Sequence, residues 1–325
     1  MKISKRIKTV LAILLTVGLV WFLAMQVNLA DVIQIIQQMP ISLLLASFGL
    51  YVLGHLGRTI RFYKLLGWKN GFHELFSIVA LHNLFINTLP ARTGELSYLY
   101  MTKKRDVSIA KSGSVLVIAR ILDMIAIAVI LLVAVIMVPV LPAFLATVSY
   151  FVAGLLVVSL FMLFSLVHFG KHFMSGIGKL FSLFRLGKTS IAKWVLEKGD
   201  EAIDSFKVLK SKGSFFEHLF YSLFIWGVRF VLFWLITIGL GVEVGIWVGI
   251  IGITLPMLST FLPIQGLGGF GTLEGAWVLS FMSLGIAKEV AILTGFGFHI
   301  VFLTFSIITG VYGFMALSLI KKLTK

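Results

Sequence analysis

The chain has 325 residues, of which 59% are hydrophobic and 13% charged, with a formal net charge of +15 and a mean hydropathy of +1.05. Soluble domains are about 45–50% apolar and about 25% charged, so a soluble enzyme, a nucleic-acid-binding domain and a disordered chain are excluded. Apolar runs of about 20 residues recur along the length, the pattern of an all-α integral membrane protein that crosses the bilayer several times.

Lys2, Lys5, Arg6 and Lys8 precede an apolar stretch from Thr9 to Val27. The stretch is longer than a signal-peptide core, and no small-x-small cleavage site follows. It reads as a retained first span, running from inside to outside. Residues 28–40 read as an interfacial helix. Val32, Ile35, Ile36 and Met39 fall at helical spacing, Gln34, Gln37 and Gln38 lie opposite, and Pro40 ends the piece. The second span, 41–60, returns inward, with Arg58, Arg61, Lys64 and Lys69 at its inner end.

Residues 75–90 are mostly apolar, and Pro90-Ala91-Arg92-Thr93-Gly94-Glu95 then interrupts. A short apolar piece, 96–101, precedes Lys103, Lys104, Arg105 and Lys111. A full crossing at 75–90 would place this basic cluster outside, against the positive-inside bias. A re-entrant hairpin resolves the conflict, with the Pro-to-Glu segment as its buried apex.

Span three covers 113–138, Pro139 and Pro142 mark an outer turn, and span four covers 144–167. Residues 168–215 form one long polar segment with nine Lys or Arg. Ile191, Val195, Ile203, Phe206 and Leu209 are spaced as on amphipathic helices, so the segment reads as a cytoplasmic basic loop with helices inside a single polytopic domain, 1–325. Span five is 216–240. Residues 246–287 repeat the hairpin pattern, and span six is 290–319. With both termini inside, the second hairpin enters from the opposite face. This gives about six spans and two oppositely directed re-entrant hairpins, an inverted repeat. Eight full spans are the alternative. Of 28 basic residues, 24 fall in the inner segments of the six-span layout, which favours it.

The hairpin apices share chemistry: Pro90, Thr93 and Gly94 in the first, Pro263, Gly268, Gly269, Gly271 and Thr272 in the second. Proline breaks each first helix. Thr93 and Thr272 are placed to cap each second helix, with Glu95 and Glu274 in its first turn. Inverted repeats with helices broken at mid-membrane are a transporter architecture.

Charges inside a bilayer cost at least about 2.5–3.5 kcal/mol each, yet Arg92, Glu95, Arg120, Asp123, Arg229 and Glu274 all lie in or between apolar segments. Two readings stand side by side. In one, Arg120 pairs with Asp123 or Glu95, and Arg229 with Glu274, to lock the fold. In the other, Arg92, Arg120 and Arg229 hold the phosphate of a lipid head group, Glu95, Asp123 and Glu274 balance charge, and Asn83 and Asn87 line the cavity. Residues 266–271 fit G-x-G-x-x-G, but a span rather than a strand precedes them, so a close-packed apex is the better account. His168 and His172 have two-ligand spacing without a third ligand and read as a solvated pair. His55 and His299 read as packing histidines. Trp21, Trp68, Trp194, Trp226 and Trp247 read as interfacial anchors. There are no cysteines, and no metal, cofactor or nucleic acid is expected.

NTLPARTGE at 87–95, Arg120-x-x-Asp123 and LPIQGLGGFGTLE at 262–274 together resemble the lysylphosphatidylglycerol synthase transmembrane region family, over roughly residues 10–320. The resemblance implies a flippase-like protein of the cytoplasmic membrane that moves an aminoacylated or other anionic phospholipid, or a polyprenyl-phosphate-linked lipid, between leaflets. In bifunctional relatives a soluble domain makes the lipid. Here the sequence ends in a basic tail at Lys325, so lysyltransferase activity is not expected, and a lipid-modifying synthase becomes an expected partner. A membrane-embedded transferase, with Glu95 or Asp123 as base, and a subunit anchoring such a synthase are the alternative readings.

Overall fold

The computed structural model describes residues 28–90, 93–183, 189–210, 212–261 and 267–323. Among these the elements are helices joined by turns, with no strand. The first expected span, 9–27, and Trp21 lie outside them.

Helix α1 (Leu29–Gln38) starts where the Asn28 side chain accepts the Ala30 N–H at 3.1 Å, satisfying a donor the helix start leaves open. Val32 is buried, while Leu29 and Ile33 face outward. Pro40 leads into α2 (Ile41–Leu66), which ends at Gly67 in the left-handed conformation, φ +55°. Two short helices follow, α3 (Phe72–Thr88) and α4 (Glu95–Lys103). Ser108 caps α5 (Ile109–Met137), its hydroxyl accepting the Lys111 N–H at 3.1 Å. Then come α6 (Ala143–Leu183), α7 (Ser190–Phe206), α8 (Lys212–Gly239), a second short pair α9 (Ile246–Ser259) and α10 (Thr272–Ser283), and α11 (Lys288–Leu323).

Among the described residues, five helices are long and apolar enough to cross a membrane: α2, α5, and residues 143–172 of α6, 213–239 of α8 and 288–320 of α11. They coincide with the expected spans at 41–60, 113–138, 144–167, 216–240 and 290–319. The protein is a multi-pass membrane protein. Its outer surface fits that solvent: Tyr150, Phe151, Val157 and Phe161 on α6, and Val311, Phe314 and Leu319 on α11, are all exposed.

Two differences from the expected layout matter. Helix α2 continues past residue 60 to Leu66, because Phe62, Leu65 and Leu66 extend its buried stripe, and this draws Arg58 and Arg61 into the bundle. Helix α6 runs without interruption past residue 167 to Leu183, so the polar segment begins as an extension of a span. On that segment Asp204 accepts a hydrogen bond from Lys207 at 2.7 Å, which holds its carboxyl below the usual carboxylate range.

Inside, α2 packs along α8, and α3 along α11. One apolar cluster draws mainly on α5, α8, α9, α10 and α11, and includes Phe233, Trp277 and Phe298. Another lies among α2, α3, α4 and α5, with Leu75, Tyr98 and Ile118. A cavity lined by charged and apolar side chains takes its walls from both.

Candidate functional site

Each helix pair is broken by backbone that cannot continue a helix. Helix α3 closes with the Leu89 N–H on the Phe85 carbonyl at 2.9 Å, and Pro90 follows. Helix α4 resumes after Gly94, whose Cα presses on the α3 backbone. A Cβ there would lie 2.2 Å from the Phe85 carbonyl carbon and 2.4 Å from the Ile86 nitrogen. In the second pair, Gly268, Gly269 and Gly271 take φ of +66°, +77° and +91°, a region that side chains other than glycine rarely adopt. The two breaks meet, for a Cβ on Gly268 would come within 4.0 Å of the Asn87 carbonyl oxygen. Arg92 and Pro263 lie outside the described residues.

The threonines do not cap as expected. Thr93 donates to the Pro90 carbonyl at 2.9 Å, and Thr272 to the Gly269 carbonyl at 3.2 Å. Their hydroxyls brace the preceding turn instead. The start of α10 is capped by Glu274, which accepts the Gly271 N–H at 2.7 Å.

Beside these breaks lies a cavity of about 1040 Å³, counting its open mouth. Asn83, Asn87, Glu95, Arg120, Asp123, Arg229, Gly268 and Gly269 all line it, as do Arg58, Arg61, His82 and His299. The expected residues are therefore gathered, but with different partners. Asp123 pairs with Arg61, not Arg120, at 2.5 and 3.3 Å through its two oxygens. Arg61, 1% exposed, also donates to Ser222 at 2.5 Å. Arg120 pairs with Glu95, both partly exposed at the mouth. Glu274 pairs with His299, not Arg229. The Arg229 guanidinium instead stands 5.2–5.4 Å from the rings of Trp226, Phe233 and Phe302, held by cation–π attraction. Arg58 donates to Asn83 at 3.2 Å, and Asn83 donates on to the Tyr51 hydroxyl at 2.6 Å. Asn87 donates to Ser306 at 3.1 Å.

Other expectations are corrected too. His299 is buried as expected of a packing residue, but it also pairs with Glu274. Its ring lies tilted against Phe270, with centroids 4.3 Å apart, and it lines the cavity. Trp68 and Trp226 are buried rather than interfacial: Trp68, just past the end of α2, folds back into the apolar cluster with Leu65 and Leu66, and Trp226 lies on the inward face of α8. His168 and His172 are exposed. No cluster of three metal-ligating side chains occurs among the described residues.

The second break depends on Glu274, 3% exposed. We expect Glu274→Ala to lower stability by about 1–3 kcal/mol, since it leaves a buried imidazole and a backbone N–H without their acceptor. Thermal unfolding in detergent measures this, and an unchanged midpoint would remove Glu274 from its structural role.

The model of the family described as Lysylphosphatidylglycerol synthase TM region matches residues 9–310 of the chain. No curated protein gives a match.

Proposed function

The chain belongs to the lysylphosphatidylglycerol synthase TM region family, and from that premise we propose a flippase-like protein that binds an anionic or aminoacylated phospholipid, or a polyprenyl-phosphate-linked lipid, and carries it between leaflets of the cytoplasmic membrane. One observation carries the reading: four arginines and two carboxylates line a single cavity within a bundle of membrane-spanning helices. Guanidinium groups match phosphate oxygens two at a time, and burying them is expensive unless an anion shares the space.

In this reading the two helix pairs are re-entrant hairpins entering from opposite faces, with both termini inside. The phosphate enters first while the acyl chains stay in the bilayer. Arg120 sits at the mouth and exchanges Glu95 for a phosphate oxygen. Arg229 and Arg58 hold the group deeper, with Arg92 contributing from the first apex. Asp123 and Glu274 keep Arg61 and His299 in place, and Asn83 and Asn87 complete the polar lining.

The test uses vesicles of phosphatidylcholine carrying acyl-NBD-phosphatidylglycerol, with outer-leaflet dye bleached by dithionite. Arg120→Gln and Arg229→Gln are each expected to slow exchange by about tenfold or more, the effect of removing a charge-assisted hydrogen bond, with thermal unfolding little changed. Full exchange in both variants rejects the assignment. Product formation from an activated donor by the purified protein would favour the transferase alternative instead.

A further inference from the structure

The break in the second helix pair places a carboxylate behind an imidazole. One oxygen of Glu274, Oε2, accepts the Gly271 N–H at 2.7 Å, and the other, Oε1, meets Nδ1 of His299. An ionised carboxylate accepts at both oxygens, so Nδ1 carries the ring hydrogen. Nε2 of the neutral imidazole then presents a bare lone pair.

That second nitrogen lies at the central cavity. It stands 3.7 Å from where a Cβ on Gly269 would be, and His299 and Gly269 both line the space. Glycine at this position keeps any side chain away from Nε2. Glu274 is held by the glycine turn as well as by the ring, so the imidazole is fixed in orientation, one nitrogen on the carboxylate and the other at the cavity.

The charges that share the cavity with His299 come from five helices. Arg58 and Arg61 belong to α2, His82 to α3, Glu95 to α4, Arg120 and Asp123 to α5, and Arg229 to α8. Helix α9 has no titratable side chain, and Asp31 on α1 is exposed. On α11 itself Glu289 is ten residues earlier, about 15 Å along the helix. Asp123 and Glu95 answer Arg61 and Arg120, which leaves the lining positive on balance.

A phosphate oxygen that reaches Nε2 of the neutral ring meets a lone pair. With a proton there it meets a charge-assisted donor. Four guanidinium groups make a further positive charge costly until an anion shares the space. Proton and phosphate therefore favour one another's arrival. We infer that His299, oriented by Glu274, is a proton-binding site: Nε2 takes a proton from water as the head-group phosphate enters the cavity and returns it as the phosphate leaves. The inference rests on the proposed lipid translocation and supplies its coupling ion. One proton accompanies each lipid, and exchange becomes sensitive to a proton gradient.

Calorimetric titration of the detergent-solubilised protein with dihexanoylphosphatidylglycerol tests this, run at one pH in two buffers of different ionisation enthalpy. The phosphodiester does not itself titrate near neutral pH, so the difference between buffers counts protons taken up by the protein. The unaltered protein is expected to take up close to one proton per lipid, with affinity falling by up to tenfold per pH unit as the medium becomes alkaline. His299→Asn keeps an N–H for Glu274 and has no second ring nitrogen. It is expected to bind about tenfold more weakly, with no proton uptake and no pH slope. His299→Gln serves the same purpose should His299→Asn fail to fold. Binding without proton uptake by the unaltered protein overturns the inference, and so does undiminished uptake in a folded His299 variant. If the unaltered protein neither binds nor exchanges lipid, the translocation reading fails and the proton site falls with it. Binding and exchange with no proton taken up leave that reading standing and remove only the proton site.

Discussion

Replacing Asp123 with alanine will lower the unfolding free energy by about 3–5 kcal/mol, the range for removing one member of a buried ion pair. Arg61 holds its guanidinium on both Asp123 oxygens and on Ser222, from three helices at once. Without the carboxylate a positive charge, 1% exposed, keeps a single hydroxyl partner. The loss comes from that stranded charge more than from the missing attraction. A double change, Arg61→Met with Asp123→Leu, is therefore expected to recover most of the stability, because both charges leave together. Thermal unfolding in detergent, followed by tryptophan fluorescence, distinguishes the variants. A double variant as unstable as the single one would show that the pair contributes net attraction rather than mutual neutralisation.

The second large effect is at Gly94. Alanine there places a Cβ 2.2 Å from the Phe85 carbonyl carbon, and both parties are backbone, so no rotamer change relieves the contact. The arms of the first helix pair must separate, at a penalty of about 1–3 kcal/mol for overpacking. The separation also shifts Glu95 away from Arg120 at the cavity mouth, so lipid exchange is expected to fall further than stability does. Gly227→Ala in α8 is the matching control, since its Cβ meets nothing within 4 Å and alanine favours helix by about 1 kcal/mol. Equal melting temperatures for the Gly94 and Gly227 variants would show that the arms yield without penalty.

Much of the bundle was legible in the sequence because hydropathy reports directly on the solvent. The spans from 41, 113, 144, 216 and 290 stand out as long, mostly apolar runs. The breaks were legible for a similar reason: proline and clustered glycine act on the backbone where they occur. Arg58 and Arg61 were misplaced, since a span of about 20 residues from Ile41 ends at residue 60, and only packing shows that the helix continues to Leu66. The partners of the charges were the least readable part. Arg120 and Asp123 sit three residues apart on one face, which proposes a local pair, but Asp123 is met by Arg61 from α2, and Glu95 reaches Arg120 from α4. Glu274 looked matched to Arg229 by charge. The structure gives it His299, whose ring belongs to another helix and whose neutral form offers no charge pattern to read. Such contacts are fixed by how helices lean on one another, which no local spacing encodes.

The uninterrupted course of α6 has a mechanical consequence. Its 41 residues make a rod of about 62 Å, against about 40–45 Å for a whole bilayer with its head groups. Helix tilts reach only about 40°, so the C-terminal tip of this helix extends past the lipid head groups, where α7 packs along it through Ile203 at Gly170 and Leu196 at Gly178. A load or a bound protein at that tip is transmitted to the lipid-embedded part without passing through a hinge.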